Sequence, residues 1–269
     1  MKEFLKRVLP RPVQHTIYRF LWNPVRDAYW AALKLGCILP SGLEVQVRNR
    51  SDWTIYNEVM VGGEYDFAID FALDRRRPGR PFQAVDLGGN VGYFTFRCAD
   101  RFLRRWPDDG QLRITVVEGS PVVFAELERR INSQPRLSSR VTLHNGLVGF
   151  REGQGYIGGS HIRYGNTVSS RANAGSIRVP FVDLIEILRH ADEIDLLKCD
   201  IEGAEFEFIE NYEDLLKKVR AAVFEFHPYG RDFQQLRRFL RAYGFLRSKV
   251  LREASGFSIE LYTRDRQCL

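Results

Sequence analysis

Four cysteines in 269 residues, Cys37, Cys98, Cys199 and Cys268, are too few and too scattered to staple a fold. No Cys-x-x-Cys pair is present to hold zinc, so they read as reduced thiols of a cytoplasmic protein. No apolar run reaches membrane-spanning length. The opening Met1-Lys2-Glu3-Phe4-Leu5-Lys6-Arg7 has neither the apolar core nor the cleavage site of a secretory signal. Acidic residues are in slight deficit, 34 against 40 Lys and Arg, and the resulting +6 permits an anionic partner without requiring one. The basic run Asp74-Arg75-Arg76-Arg77-Pro78-Gly79-Arg80-Pro81 has no aromatics between its cations on which bases could stack. It reads as a solvated linker, and no nucleic-acid partner is expected.

What is present is concentrated at Val85-Asp86-Leu87-Gly88-Gly89-Asn90-Val91-Gly92-Tyr93-Phe94-Thr95, where an apolar strand runs through an acid and clustered glycines into an amphipathic helix. Such a turn lets backbone N–H groups approach a nucleotide-sized ligand, and the helix turns its positive end toward the same crevice. The spacing is not that of a dinucleotide fingerprint, because Gly88, Asn90 and Tyr93 stand where that pattern needs three glycines. No Lys followed by Ser or Thr makes it a P-loop. A second β-branched strand, Ile114-Thr115-Val116-Val117, ends in Glu118, an acid placed beside the first turn in a doubly wound sheet, where it can accept both hydroxyls of a ribose. The plain alternatives are a ligand-free turn and an exposed strand-end carboxylate. Their combination favours the ligand.

The chain divides near residue 80. Before it lies an aromatic and basic leader, 1–37, with Ile17, Tyr18, Phe20, Leu21, Trp22, Tyr29 and Trp30 among Lys and Arg, suited to two short amphipathic helices interrupted at Pro10, Pro12 and Pro24. It either docks its aromatics on the core or touches the inner face of a membrane peripherally. Residues 43–61 alternate as a strand pair with a connecting turn would. Residues 81–269 alternate strands (82–87, 113–118, 140–145, 194–199, 219–226) with helices (91–105, 121–133, 203–211, 231–243) and close on strands near 245–252 and 257–263. That is an α/β pattern with a mostly parallel sheet. A glycine-rich insertion, 151–180, reads as a hairpin covering a substrate, with His161, Arg163 and Tyr164 as candidate substrate contacts.

Three segments resemble the FkbM-type S-adenosylmethionine-dependent methyltransferases: VDLGGNVGYFT at 85–95, VVEGSPVVFAELERRI at 116–131 and IDLLKCDIEGAEFEFIE at 194–210. The run Lys198-Cys199-Asp200-Ile201-Glu202-Gly203-Ala204-Glu205 is similar to the family's Lys-x-Asp-x-Glu-Gly-Ala-Glu signature, and Ala222-Val223-Phe224-Glu225-Phe226-His227 resembles its next strand. Ile55-Tyr56-Asn57-Glu58 and Gly63-Glu64-Tyr65 resemble its lead-in, and one departure is Gly89, where relatives often carry Ala. The resemblance implies a Rossmann-like class I methyltransferase fold with a seven-stranded, mostly parallel sheet and helices on both faces. It also implies S-adenosylmethionine as cofactor and a hydroxyl of a sugar, glycan or polyketide-type metabolite as acceptor. A small amine acceptor, or a non-catalytic module binding glycan or membrane, are the alternatives.

On that reading the cofactor contacts are Tyr65, Asp86, Gly88, Gly89, Asn90, Gly92, Glu118, Asn145 and Asp200. Asn145 ends the third strand where an adenine edge is expected, and Tyr65 closes over the methionine end. Asp200, Glu202, Glu225 and His227 stand at the carboxyl ends of the fourth and fifth strands, facing the crevice, and are the candidate catalytic residues. His227 suits a general base near neutral pH. Alternatively Asp200, Glu225 and His227 bind Mg²⁺ or Mn²⁺, which would acidify a bound hydroxyl. The bland alternative, carboxylates favouring the next helix's N-terminus, is strongest for Glu202.

Overall fold

A computed structural model describes residues 23–33, 35–158, 175–227, 232–254 and 257–264. Helix α1 (Asn23–Leu33) opens the described chain, with Pro24 in its first turn, where a missing N–H costs nothing, so that proline begins a helix instead of interrupting one. Residues 1–22 of the leader lie outside the described residues. Strand β1 (Leu35–Ile38) pairs antiparallel with β2 (Glu44–Val47).

Residues 43–61 depart from the expected strand pair. Only β2 is a strand, and its partner lies upstream; α2 (Arg50–Tyr56) and a π-helical turn (Asn57–Val61) follow. The reason is a cap joined to a buried ion pair. The Asn49 side chain accepts from Asp52 N, and Asp52 in turn accepts from Arg48 N and pairs with Arg130 at 2.5 Å. The cap is local, but the ion pair exists only when the distant helix carrying Arg130 is in place, so local alternation loses to a cap reinforced by tertiary contact.

Helix α3 (Asp66–Asp74) packs on α4 (Tyr93–Arg105) through an ion-pair ladder spaced one helical turn apart: Arg97 to Asp66 at 2.6 Å, Arg105 to Asp70 at 3.0 Å, and Arg101 to Asp70 between them. Around it, strands β3 (Phe82–Leu87), β4 (Leu112–Glu118), β5 (Val141–Asn145), β6 (Gln154–Gly158), β7 (Ser176–Pro180), β8 (Ile194–Cys199), β9 (Val219–Phe226), β10 (Arg247–Ala254) and β11 (Phe257–Thr263) alternate with helices α5 (Pro121–Asn132), α6 (Glu205–Asn211), α7 (Glu213–Lys217) and α8 (Phe233–Ala242). Single helical turns at Pro135–Ser138 and Leu184–Ile187 complete the described elements. No helix among the described residues is long and apolar enough to cross a membrane.

Seven strands form one sheet in the order β10-β11-β9-β8-β3-β4-β5. The five from β9 to β5 run parallel, and β11 is antiparallel to both its neighbours. This is the expected doubly wound class, with helices on both faces. One apolar cluster joins β3, β4, α4 and α5 to Leu39, Leu43, Ile55, Val59, Ile69 and Leu73 from the N-terminal segment; a second lies beneath β8, β9, α6 and α8, and a small third joins Leu147, Ile157 and Val179. The chain winds one way from β3 to β5 and the other from β8 to β9, so the switch point falls between β3 and β8. Ligand crevices open there, outside the strands' carboxyl ends.

The N-terminal segment is tied to this core by polar bonds as well. Tyr93 donates its hydroxyl hydrogen to Gln46 O at 2.9 Å, and Arg130 Nη1 donates to the same carbonyl at 2.9 Å. Because Arg130 keeps Gln46 O satisfied, Tyr93→Phe is expected to lower stability by only about 1 kcal/mol, the net worth of one hydrogen bond. Urea denaturation checks this. A loss above about 3 kcal/mol would mean that the phenol holds more than this one carbonyl.

Candidate active site

The two loops at the switch point touch through their backbones. Gly88 has φ +74°, and a Cβ built on it would lie 1.7 Å from Asp200 O, so only glycine fits. Asp200 N donates to Leu87 O at 3.1 Å, which locks the loop after β8 against the loop after β3. Asn90 is also left-handed, φ 48°, and its N–H donates to Glu118 Oε2 at 2.8 Å. Ser120 N donates to Glu118 Oε1 at 2.7 Å. Both carboxylate oxygens are thus oriented by backbone amides. Burial pushes the Glu118 carboxyl upward, against the pull of those two N–H groups and the Lys198 charge.

These loops border an open crevice. Its lining combines Gly88, Asn90, Glu118 and Ser120 with the apolar Val123, Leu147, Val148 and Ile157 and with Asp200, Ile201 and Glu202. The other expected cofactor residues stand behind this surface. Asp86 is fully buried, accepting from Thr95 Oγ1 at 2.8 Å and lying 3.4 Å from Lys198 Nζ. A Cβ on Gly89 would meet Val116 at 2.2 Å, and Gly92, φ 96°, turns the chain into α4. Asn145 spends its amide hydrogens on Glu118 O (2.8 Å) and Gly119 O (3.2 Å), bracing β5 to β4, while its neighbour Gly146 lines the crevice. Buried Tyr65 sets its ring edge-on to Phe94 and donates its hydroxyl hydrogen to Glu225 Oε2 at 2.9 Å.

Beside Asp200 and Glu202, which line the crevice, carboxylates cluster around one imidazole. His227 Nδ1 lies 3.2 Å from Glu205 Oε1; its Nε2 lies 3.6 Å from Glu202 Oε2 and 3.7 Å from Glu225 Oε1. Burial pushes the imidazole down, yet the Glu205 hydrogen bond and the charges of Glu205, Asp200 and Glu202 outweigh it and hold its pKa up at about 9. The ring therefore carries a proton at neutral pH, which does not suit the general-base role expected for it. Burial, reinforced by the Asp200 charge, pushes Glu225 up to about 8 against the pull of Tyr65, His227 and Lys198. Glu202 holds a left-handed backbone, φ 55°, rare for a residue with a Cβ.

Two residues of this site had no assigned role in the sequence reading. Lys198 is buried, donates to Gly88 O at 2.7 Å, and stands 3.4 Å from both Asp86 and Asp200. Its signal was a lone lysine in a strand covered on both faces, a place no cation takes without partners. Glu205 accepts from Gly203 N (3.1 Å) and Ile201 N (3.3 Å), fixing the loop that carries Asp200 and Glu202. In the insertion, β6 and β7 pair antiparallel and Ile157 reaches the crevice. His161, Arg163 and Tyr164 lie outside the described residues.

Residues 86–247 match the family profile of the methyltransferase FkbM domain. No curated protein matches the chain in sequence. Among solved structures, a human methyltransferase 10 domain-containing protein is 12% identical over 89% of this chain and 95% of its own, with a TM-score of 0.48. The precorrin-6y C5,15-methyltransferase of Geobacter metallireducens is 11% identical over 74% and 88%, TM-score 0.43. The N-terminal domain of EvdMO1, solved in the presence of SAH and D-fucose, is 12% identical over 72% and 82%, TM-score 0.42. Likeness this low transfers no substrate, and the family rests on the matched residues.

Proposed function

The chain belongs to the FkbM methyltransferase family, and from that premise we propose that it transfers a methyl group from S-adenosylmethionine to a hydroxyl of a sugar, glycan or polyketide-type acceptor. The observation that carries this reading is a single crevice lined by an oriented carboxylate, Glu118, and by Asp200 and Glu202, with Glu225 and His227 clustered beside Glu202.

The residues present fit such a cofactor. Glu118 offers acceptors for a ribose diol, and Val123, Leu147 and Ile157 offer an apolar slot for an adenine. Gly88 and Asn90 bring bare backbone to the same surface. The cofactor supplies an electrophilic methyl group. The chain has to orient an acceptor oxygen in line with it and receive the proton that oxygen loses. Asp200 and Glu202 can accept hydrogen bonds from a polyol's hydroxyls and the departing proton, and His227 can donate to the acceptor. The same excess of carboxylates favours, as a second reading, a small amine. Matched alcohols and amines offered with methyl-labelled S-adenosylmethionine separate the two; label on no acceptor would overturn both.

Glu118→Ala is expected to weaken S-adenosylhomocysteine binding by about 1.5–3 kcal/mol, the range for a hydrogen bond to a charged group, which is about ten- to a hundredfold in Kd. Calorimetry on folded variant reads it directly, and unchanged affinity removes Glu118 from the site. In parallel, S-adenosylmethionine should raise the melting temperature and NAD should not. Stabilisation by NAD alone would contradict the proposed cofactor.

A further inference from the structure

The geometry points to a divalent-cation site beside the crevice, with Asp200, Glu202 and His227 as its protein ligands. One ligand atom from each lies within 4.8 Å of the others. Oxygens about 2.1 Å from a small dication stand about 3–4 Å apart, so modest side-chain rotations close this set around an ion. Glu202 thus occupies the place the sequence reading gave to Glu225, which borders the set with its Oε1 3.7 Å from His227 Nε2.

The orientation of the imidazole is the second, independent observation. Its Nδ1 faces buried Glu205, which two backbone amides of the 200–204 loop hold in place. With Nδ1 donating to that carboxylate, the proton an arriving ion displaces is the one on Nε2, the nitrogen that faces Glu202 and Glu225. That carboxylate–histidine arrangement fixes the tautomer and raises the basicity of metal-ligating histidines. Charge agrees. Among the described residues the cluster sets Asp200, Glu202 and Glu205 against His227 and Lys198, and Lys198 is shared with buried Asp86. Two carboxylates and one imidazole are a mixed oxygen and nitrogen set. Such a set favours Mn²⁺ over Mg²⁺, which keeps to oxygen and water.

This site rests on the methyl-transfer reading only for its consequence: a hydroxyl bound to the ion loses its proton more readily, so that a carboxylate suffices to receive it. Binding itself is tested without cofactor or acceptor. Mn²⁺ titrated into the full chain is followed by the electron paramagnetic resonance of the free ion, with circular dichroism confirming that each variant is folded. Saturable loss of the free signal at one ion per chain is expected. Glu202→Gln and His227→Gln should abolish most of it, and Glu205→Gln, which touches no ion, should weaken it by about 10–100-fold. A free signal unchanged by wild-type protein, or folded ligand variants that bind like wild type, would overturn the site. Mn²⁺ bound with no methyl transferred to any acceptor sinks the functional reading alone. Transfer indifferent to EDTA, with no Mn²⁺ bound, sinks the site alone.

Discussion

Replacing Asp200 by Asn or His227 by Ala is expected to lower kcat for methyl transfer by about 10²–10⁴, the range of acid–base assistance, while S-adenosylhomocysteine affinity stays within a few fold. Both residues follow the carboxyl ends of β8 and β9; Asp200 lines the crevice, and His227 lies beside Glu202, which lines it too. An interaction made chiefly in the transition state shows in kcat and not in cofactor binding. Asp200→Asn keeps the volume but takes one of two carboxylates from Lys198, so urea denaturation must show the variant folded before its loss of rate is read as catalytic. Single-turnover transfer and calorimetry with S-adenosylhomocysteine together decide it. Two variants that turn over like wild type would move the chemistry elsewhere, to the 151–180 insertion or the N-terminal segment. A fall in affinity as large as the fall in kcat would make these residues part of the cofactor pocket.

Lys198→Met is expected to cost about 3–5 kcal/mol of folding stability, because it strands a fully buried carboxylate, Asp86, without its cation. Burial pushes the Lys198 ammonium down, but the charges of Asp200 and Asp86 outweigh it and hold the pKa above its ordinary value. Lys198 also donates to Gly88 O, so its loss should loosen the glycine turn and weaken cofactor binding together with stability. Urea denaturation of Lys198→Met and of Asp86→Asn/Lys198→Met separates the contributions. The double variant removes both charges and should recover part of the loss. If the single variant costs under about 1 kcal/mol, the pair contributes no more than an exposed one.

The elements legible in the sequence are those whose pattern repeats locally. Strands β3, β8 and β9 fall at their expected residues because buried parallel strands are short apolar runs ended by acids and glycines. Helix α4 begins at Tyr93, two residues later than expected, because left-handed Gly92 must first turn the chain. Residues 50–61 were misread for the opposite reason: the ion pair that makes them helical joins Asp52 to Arg130, 78 residues away. The closing strand lies at 247–254, where left-handed Gly244 ends the turn and a register shift between Val250 and Arg252 bends the edge.

The same division runs through the site. Sequence by itself determined which chemical groups stand after each strand: glycines after β3, Glu118 at the end of β4, Asp200 and Glu202 after β8, Glu225 and His227 at the end of β9. Strand ends are set by hydrophobic runs, and those are written locally. Only the tertiary structure decided how these groups meet. Laying β8 beside β3 puts the Lys198 ammonium between Asp86 and Asp200, forces glycine at position 88 by backbone contact, and sends Asp86 behind the surface it was expected to line. Placing β9 beside β8 surrounds His227 with three carboxylates and makes a cation of a presumed base. A pKa depends on charges within a few ångströms, and those come from residues far apart in the chain.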